Sequence, residues 1–141
     1  MDLKLTDKVA LVTGSTAGIG FAIAQALAIE GAHVYVNGRT QERVDAAIAA
    51  IRSHAATIKV DGIVADFSSS AGAEAVIATL PVVDVLVNNV GIFEPKPFAE
   101  IPDADWYRFF EINVMSGIRL SRALSFRDVA KELGTHSFYF E

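Results

Sequence analysis

The chain has 141 residues, of which 52% are hydrophobic, and its 12 basic and 17 acidic side chains give a formal net charge of -5. This length allows about one domain with a buried core, and the acidic balance argues against binding to the phosphate backbone of nucleic acid. The absence of cysteine excludes disulfides, a thiol nucleophile and cysteine-ligated zinc, and it fits a reducing, cytoplasmic setting.

The uncharged segment 9–29 is about as long as a membrane-spanning helix. Its middle, however, holds the turn-forming run Thr13-Gly14-Ser15-Thr16, and the four apolar residues before that run are typical of a short buried strand. The acidic residues Asp2 and Asp7 also do not suit the amino-terminal region of a signal peptide. We therefore expect no membrane segment.

Strand-like and helix-like patterns alternate along the chain. In order, the predicted elements are a strand over 8–12, a helix over 18–29 that Gly31 stops, a strand over 33–37, a helix from the cap Thr40 to about Ser53, a strand over 58–65, a helix opened by Ser68 or Ser69, a strand over 82–87, and a helix from the cap Asp103 to about Leu124. Such alternation indicates βαβ units with right-handed crossovers. The predicted fold is α/β, a Rossmann-type doubly wound parallel sheet.

A glycine-rich turn joins the first strand to the first helix. Residues 13–20 read TGSTAGIG, with the spacing Gly-x-x-x-Gly-x-Gly. Glycines let backbone N–H groups approach a phosphate closely, and the amino end of a helix attracts the anion. The turn is therefore a candidate phosphate site. The alternative is a tight turn whose glycines serve only close packing of the helix on the strand.

The run Thr-Gly-x-x-x-Gly-Ile-Gly resembles the glycine motif of the classical short-chain dehydrogenase/reductase (SDR) family, and further matches follow in order. Asp66, with Phe67 beside it, resembles the acid that contacts the adenine ring. Asn88-Asn89-Val90-Gly91 resembles the Asn-Asn-Ala-Gly motif, with valine in place of the usual alanine. Asn113 matches the helix asparagine of the catalytic group. The resemblance covers about residues 7–122, the amino-terminal half of the family's pattern.

This resemblance implies an oxidoreductase that uses a nicotinamide dinucleotide to transfer hydride to or from a small carbonyl or alcohol substrate. The turn residues would bind the phosphates, Asp66 the adenine, and residues 88–91 the ribose region. The implied cofactor-binding residues are Gly14, Ser15, Thr16, Gly18, Ile19, Gly20, Arg39, Asp66, Phe67, Asn88, Asn89, Val90 and Gly91.

The end of the second strand bears on which cofactor is used. A carboxylate there would bind the ribose 2′-hydroxyl of NAD and repel the 2′-phosphate of NADP. Gly38 and Arg39 stand there instead, and a guanidinium suits a phosphate. Family members that end this strand in Gly-Arg commonly use NADP. We predict NADP, with NAD less favoured; the alternative is that Arg39 is only a solvated residue at a strand end.

Three asparagines are candidate site residues. Asn88 and Asn89 follow an apolar strand and would face the cleft at the carboxyl edge of the sheet, unless they form an ordinary Asx turn. Asn113 shares a helix face with residues three and four apart, namely Trp106, Phe110, Gly117, Leu120 and Leu124. By resemblance it opens the helix locally and holds a water in a proton relay. The alternative is a core amide bonded to neighbouring backbone.

The catalytic pair that the resemblance calls for, a tyrosine with a lysine four residues later, does not occur. Tyr35, Tyr107 and Tyr139 are not followed by such a lysine, and no serine of the family's catalytic group is recognised. Residues 125–141 show no clear fifth strand. We therefore predict an NAD(P)-binding domain over 1–124, a divergent or truncated tail over 125–141, and a sheet that ends after about four strands. The fourth strand would keep an unpaired flank, which favours a homo-oligomer.

Two functions of different classes remain open: an SDR-type oxidoreductase, and a non-catalytic nucleotide-binding or interaction domain. A module for another ligand, such as a flavin, is a further alternative on the same scaffold. His33, His54 and His136 lack metal-ligand spacing, so no metal site is predicted. Without a basic patch interleaved with aromatic residues, nucleic-acid binding is not predicted either.

Overall fold

Five parallel strands lie side by side in the part of the chain that the structure, a computed structural model, describes: residues 3–80, 83–129 and 136–139. In chain order the strands are β1 Val9–Val12, β2 His33–Gly38, β3 Val60–Val64, β4 Val85–Asn88 and β5 His136–Tyr139. Their order across the sheet is β3-β2-β1-β4-β5. The chain thus moves outward from β1 to β3 and then returns to the other side of β1, so the winding direction reverses between β1 and β4.

Helices cover both faces of this sheet. They are α1 Gly18–Ile29, α2 Gln41–Arg52, α3 Ser70–Thr79, α4 Asp103–Phe110 and α5 Ser116–Val129, with a 3₁₀ turn Phe98–Glu100 before α4 and a π-helical turn Glu111–Met115 between α4 and α5. Successive side chains of a strand point to opposite faces. Accordingly, Ala10 and Val12 of β1 pack with α1 and α2 in one core, whereas Leu11 packs with α3 and α5 in the other.

The predicted fold class is confirmed, and so are the four predicted strands, with shifted ends. β3 begins at Val60 and β4 runs through Asn88. Thr40 caps α2, since its hydroxyl oxygen accepts a hydrogen bond of 3.4 Å from the Arg43 N–H. Gly31 follows the end of α1 with a φ of +96°, a left-handed conformation that glycine adopts without strain.

The sheet has one strand more than the about four that were predicted, in a segment where the sequence showed no clear fifth strand. His136–Tyr139 forms β5, parallel to β4, with Asn88 opposite Tyr139. The flank of β4 that was expected to be unpaired therefore has a neighbour. β5 is as long as β1 and β4, but its sequence, His-Ser-Phe-Tyr, lacks the continuous apolar run that predicted those two strands.

The single long helix expected after Asp103 is also wrong. The π-helical turn separates α4 from α5, and a wider turn shifts the faces of the two helices relative to each other. The predicted apolar stripe is therefore broken: Trp106 and Phe110 are 52% and 55% exposed, whereas Leu120 and Leu124 are buried. Asp103 is the first helical residue rather than the cap, a position where an acid still favours the helix dipole.

No helix within the described residues is both long and apolar enough to cross a membrane. The uncharged segment that raised the question is divided between β1, the glycine turn and α1.

Candidate functional site

The carboxyl ends of β1, β2, β3 and β4 meet at one edge of the sheet, beside a cleft of about 290 Å³. Such an edge, at the point where the winding direction reverses, is where ligands bind in open α/β sheets. Eight residues predicted to bind the cofactor line the cleft: Gly14, Thr16, Arg39, Asp66, Phe67, Asn89, Val90 and Gly91.

At two positions of the turn, the backbone conformation favours glycine. Gly14 and Gly18 have φ values of +60° and +58°, which side chains of L-amino acids rarely adopt. A Cβ at Gly14 would also lie 3.1 Å from the Cα of Val90. A Cβ at Gly18 would meet no described atom within 4 Å. The lack of a side chain at Gly14 therefore lets the backbone of Val90 come close. The space beside Gly18, at the start of α1, is open.

The amino end of α1 has backbone N–H groups that are available as hydrogen-bond donors. The residue before the helix is Ala17, which has no side-chain oxygen, and the end carries no side-chain cap. The first N–H groups of a helix have no partner inside it. Those of Gly18 and Ile19 lie on exposed residues, so this end of α1 suits an anion.

Gly20 allows the start of α1 to lie close to the glycine turn and to Asn89, the residue after β4. A Cβ there would lie 2.5 Å from the carbonyl oxygen of Gly14 and would overlap the side-chain nitrogen of Asn89. The third glycine of the motif is thus required by packing rather than by its own φ.

Thr13 and Asn89 join the ends of β1 and β4. The Thr13 hydroxyl oxygen accepts hydrogen bonds of 2.9 and 3.0 Å from the N–H groups of Asn89 and Val90. In return, the Asn89 amide nitrogen donates to the carbonyls of Thr13 and Gly14, both at 3.0 Å. The alternative of a mere Asx turn does not describe Asn89, because its side chain bonds across to another strand.

Ser15 was expected to contact phosphate, but the structure places it away from the cleft. It is completely buried, and its hydroxyl donates to the carbonyl of Val12 at 2.7 Å and accepts from the N–H of Asn37 at 2.9 Å. Its own N–H donates to the Asn37 carbonyl. Ser15 therefore supports the turn from behind.

Asn37 and Arg43 are cleft residues that the sequence reasoning missed. Asn37 is buried in the wall of the cleft; the available signal was a polar residue near the end of an otherwise apolar strand. Arg43 lies in the first turn of α2, four residues after Arg39, and that second arginine in the sequence was the signal for it. Arg39 and Arg43 are both exposed and both line the cleft. Within the described residues, neither guanidinium group forms an ion pair.

Asp66 and Phe67 differ in their surroundings. Asp66 is exposed, and its carboxylate accepts a hydrogen bond of 2.9 Å from the Ser68 N–H, which fixes the carboxylate at the rim of the cleft. Phe67 is 3% exposed and packs in the core that contains α3. Its side chain therefore supports the cleft from below.

Asn88 ties β4 to α5. Its amide nitrogen donates to the hydroxyl of Ser121 at 3.0 Å, and Gly117 provides the room, since a Cβ there would lie 3.4 Å from the Asn88 Cγ. Asn88 does not line the cleft.

Asn113 lies in the π-helical turn and is exposed. Its side-chain oxygen accepts from the N–H of Ile92 at 2.7 Å, and its nitrogen donates to the carbonyl of Ile92 at 3.1 Å. The amide is thus satisfied by backbone, as one of the two interpretations held, although it is not in the core.

Charged side chains fasten the segment after β4 to α4. Arg108 binds both carboxylate oxygens of Glu94, at 2.9 and 2.7 Å, and also contacts Asp105, which pairs with Lys96. The hydrogen bond from Arg108 lowers the pKa of Glu94, and the one from Lys96 lowers the pKa of Asp105. A neighbouring pair acts likewise, since Arg119 lowers the pKa of Glu111 in the π-helical turn.

No cluster of three or more potential metal-ligating side chains occurs within the described residues. His33 pairs with Asp61 at 2.6 Å, and His54 contacts Gln25; the side chain of His136 lies outside the description.

Comparisons with known proteins give a consistent result. A sequence profile of the family described as short chain dehydrogenase matches residues 8–134. The chain is 46% identical over 134 residues to the uncharacterized oxidoreductase YvaG of Bacillus subtilis, an alignment that covers 95% of this chain and 51% of that protein.

Two solved structures extend the comparison. L-sorbose reductase from Gluconobacter frateurii, complexed with NADPH and L-sorbose, has a TM-score of 0.90 and 31% identity over 99% of this chain and 54% of its own. Gluconate 5-dehydrogenase from Burkholderia cenocepacia, in complex with NADP and tartrate, has a TM-score of 0.80 and 29% identity over 92% and 52%. This chain spans about half the length of these relatives.

Proposed function

This chain belongs to the short chain dehydrogenase family, and we propose that it binds NADP(H) in the cleft described above, as the cofactor-binding part of an oxidoreductase that acts on a carbonyl or alcohol. One observation carries this proposal: the glycine turn borders the same cleft as two arginines that form no ion pair within the part of the chain that the structure describes. The reductase and the dehydrogenase compared above bind NADPH and NADP, respectively.

Arg39 and Arg43 would bind the 2′-phosphate, as charge-assisted hydrogen bonds to phosphate favour guanidinium groups. The position where a carboxylate would favour NAD is Gly38, which has no side chain, and a Cβ there would lie 2.5 Å from the Thr16 methyl carbon. Asp66 would face the adenine from the rim.

The amino end of α1 would bind the pyrophosphate through the N–H groups of Gly18, Ile19 and Gly20. Gly14 and Thr16 line the cleft beside it. Ser15 supports this arrangement without contacting the phosphates, since its hydroxyl and its N–H are both engaged inside the protein.

The ribose region would lie against Asn89, Val90 and Gly91, which line the opposite wall. When bound, the nicotinamide supplies or accepts the hydride. Asn113 would be this chain's member of the catalytic group. Its amide holds Ile92, so it orients the segment that leaves β4 beside the cleft.

A second candidate function is nucleotide binding without turnover. Hydride transfer to a carbonyl produces an alkoxide, which requires a positioned acid. In these 141 residues, the position four after Tyr35 is Arg39 and the position four after Tyr107 is Glu111. The side-chain amide of Asn113 is not an acid at ordinary pH, so it cannot replace the missing proton donor. These residues alone are therefore expected to bind the cofactor and not to turn over.

The decisive experiment is a fluorescence titration of the purified chain with NADPH and with NADH, followed by turnover assays on a panel of ketones and aldehydes. Tighter binding of NADPH supports the proposed cofactor. Turnover by this chain would overturn the second candidate function. Absence of binding to either cofactor would overturn both.

The predicted homo-oligomer remains a proposal, now supported by a different surface. Exposed aromatic side chains gather on and before α4, at Phe93, Phe98, Trp106, Tyr107 and Phe110, and exposed apolar groups of this size favour association. Sedimentation equilibrium of the purified chain tests it, and a monomer at all concentrations would contradict it.

A further inference from the structure

We infer that Asn37 is the residue that positions the glycine turn for the pyrophosphate, an inference that rests on the proposed function. Asn37 is the penultimate residue of β2 and is 1% exposed. From β2, its side chain reaches the glycine turn after β1 on one side, and Ile63 of β3 and the following Ala65 on the other. Nothing in the glycine motif itself requires it.

The oxygen and the nitrogen of the Asn37 side-chain amide bind different parts of the backbone. Its oxygen accepts a hydrogen bond of 2.9 Å from the N–H of Gly14. Its nitrogen donates to the carbonyls of Ile63 and Ala65, at 3.1 and 3.3 Å. Only a side chain with both an acceptor and donors at this length satisfies all three groups.

The backbone of Asn37 continues this arrangement. Its N–H donates to the hydroxyl of Ser15 at 2.9 Å, and its carbonyl accepts from the Ser15 N–H, also at 2.9 Å. Two consecutive N–H groups of the glycine turn, those of Gly14 and Ser15, are therefore bound to one residue of β2.

This arrangement determines which N–H groups can reach a phosphate. Because Gly14 and Ser15 donate to Asn37, their N–H groups are not available to a ligand. The N–H groups at the uncapped start of α1 remain available. The hydrogen bond to Asn37 also holds Gly14 at its positive φ. From Gly14 the chain continues to Gly18 at the start of α1. Asn37 thus directs the pyrophosphate to α1 without contacting it.

The first test measures hydrogen exchange of individual backbone amides by NMR in the full chain. In Asn37→Leu, the Gly14 amide should lose its protection while the amides of α5 keep theirs. Asn37→Asp retains the acceptor for Gly14 but loses both donors, so Gly14 should lose less protection than in Asn37→Leu. Asn37→Ala is measured in parallel in case the leucine variant does not fold. Unchanged protection of Gly14 in the leucine and alanine variants would overturn the inference.

The second test compares NADPH with adenosine 2′-monophosphate, which has the 2′-phosphate but no pyrophosphate. Asn37→Leu should weaken NADPH binding by about ten- to hundredfold and leave the monophosphate nearly unaffected. Val34→Ala, which removes buried methyl groups from the same strand without touching a polar contact, should spare both ligands. An equal loss for both ligands in Asn37→Leu would mean a merely structural role. If the unaltered chain binds neither ligand, the proposed function fails, and Gly14 exchange still decides the role of Asn37.

Discussion

The side-chain amide of Asn113 binds the backbone of Ile92 at both ends, with its oxygen 2.7 Å from the nitrogen and its nitrogen 3.1 Å from the carbonyl oxygen. Asn113 belongs to the π-helical turn, and Ile92 follows β4 beside the cleft. The turn between α4 and α5 is therefore coupled to the cleft wall by one side chain.

Replacing Asn113 by alanine removes both hydrogen bonds, and we expect a loss of about 1–2 kcal/mol in the free energy of unfolding. The Ile92 amide should also exchange faster with solvent. Asn113→Asp retains the acceptor for the Ile92 N–H and should lose less. Urea unfolding and NMR exchange measure both effects. An Ile92 amide that exchanges at the same rate in Asn113→Ala would refute the coupling.

Arg39→Ala and Arg43→Ala should each weaken NADPH binding by about tenfold or more, since each removes a charged partner of a phosphate. NADH, which lacks the 2′-phosphate, should bind as before. Arg52→Ala is the matched control, because Arg52 is also on α2 but its guanidinium binds the Val60 carbonyl and lies near Asp61. Fluorescence titration measures all three. If NADH binding falls as much as NADPH binding, the assignment to the 2′-phosphate is wrong.

Gly20→Ala should destabilise the chain by about 1–3 kcal/mol, because the new methyl group overlaps Asn89 and Gly14 in a packed region. Gly18→Ala is the informative counterpart. Its methyl group meets no described atom, and only its positive φ is unfavourable, at about 1–2 kcal/mol. Thermal unfolding compares the two variants. A Gly20→Ala variant as stable as the unaltered chain would contradict the packing described for α1.

Acid should loosen the attachment of the segment after β4. The pKa values of Glu94 and Asp105 are lowered by Arg108 and Lys96, so their contribution to stability is complete above the ordinary carboxyl range and is lost as the pH falls through the lowered values. We therefore expect local opening as the pH falls below the ordinary carboxyl range, seen as lower protection factors for the amides of Ile92, Phe93, Glu94 and Lys96. Arg108→Met or high salt should weaken this dependence. A pH profile that Arg108→Met leaves unaltered would exclude this ion-pair network as its cause.

Much of the fold follows from local patterns. The apolar runs predict β1 to β4, and the glycine turn is predicted because its residues carry the signal themselves. The i, i+3 and i, i+4 pattern could not predict the π-helical turn, since it assumes a helix of constant pitch; only the family resemblance, in which Asn113 opens the helix locally, pointed to it. β5 was not predicted because its two polar residues, His136 and Ser137, leave no apolar run.

The residues of the candidate site also divide into those that local sequence patterns predicted and those that they did not. Arg39, Asp66 and Asn89 were found because they follow strands, where side chains meet the cleft edge. Ser15, expected to bind phosphate, is instead engaged inside the protein, and Asn37, for which no role was predicted, holds the glycine turn. Their environment depends on contacts between β1, β2 and β3, which adjacent residues in sequence do not reveal.

The Thr13–Asn89 hydrogen bonds also bear on the entropy of ligand binding. They fix the glycine turn to the end of β4 before any ligand arrives, so the turn loses its conformational freedom when the protein folds. A nucleotide that enters the cleft then meets a preorganised wall and need not order a loop. Its affinity would be determined by direct contacts, and by linkage its binding would raise the stability of the whole sheet.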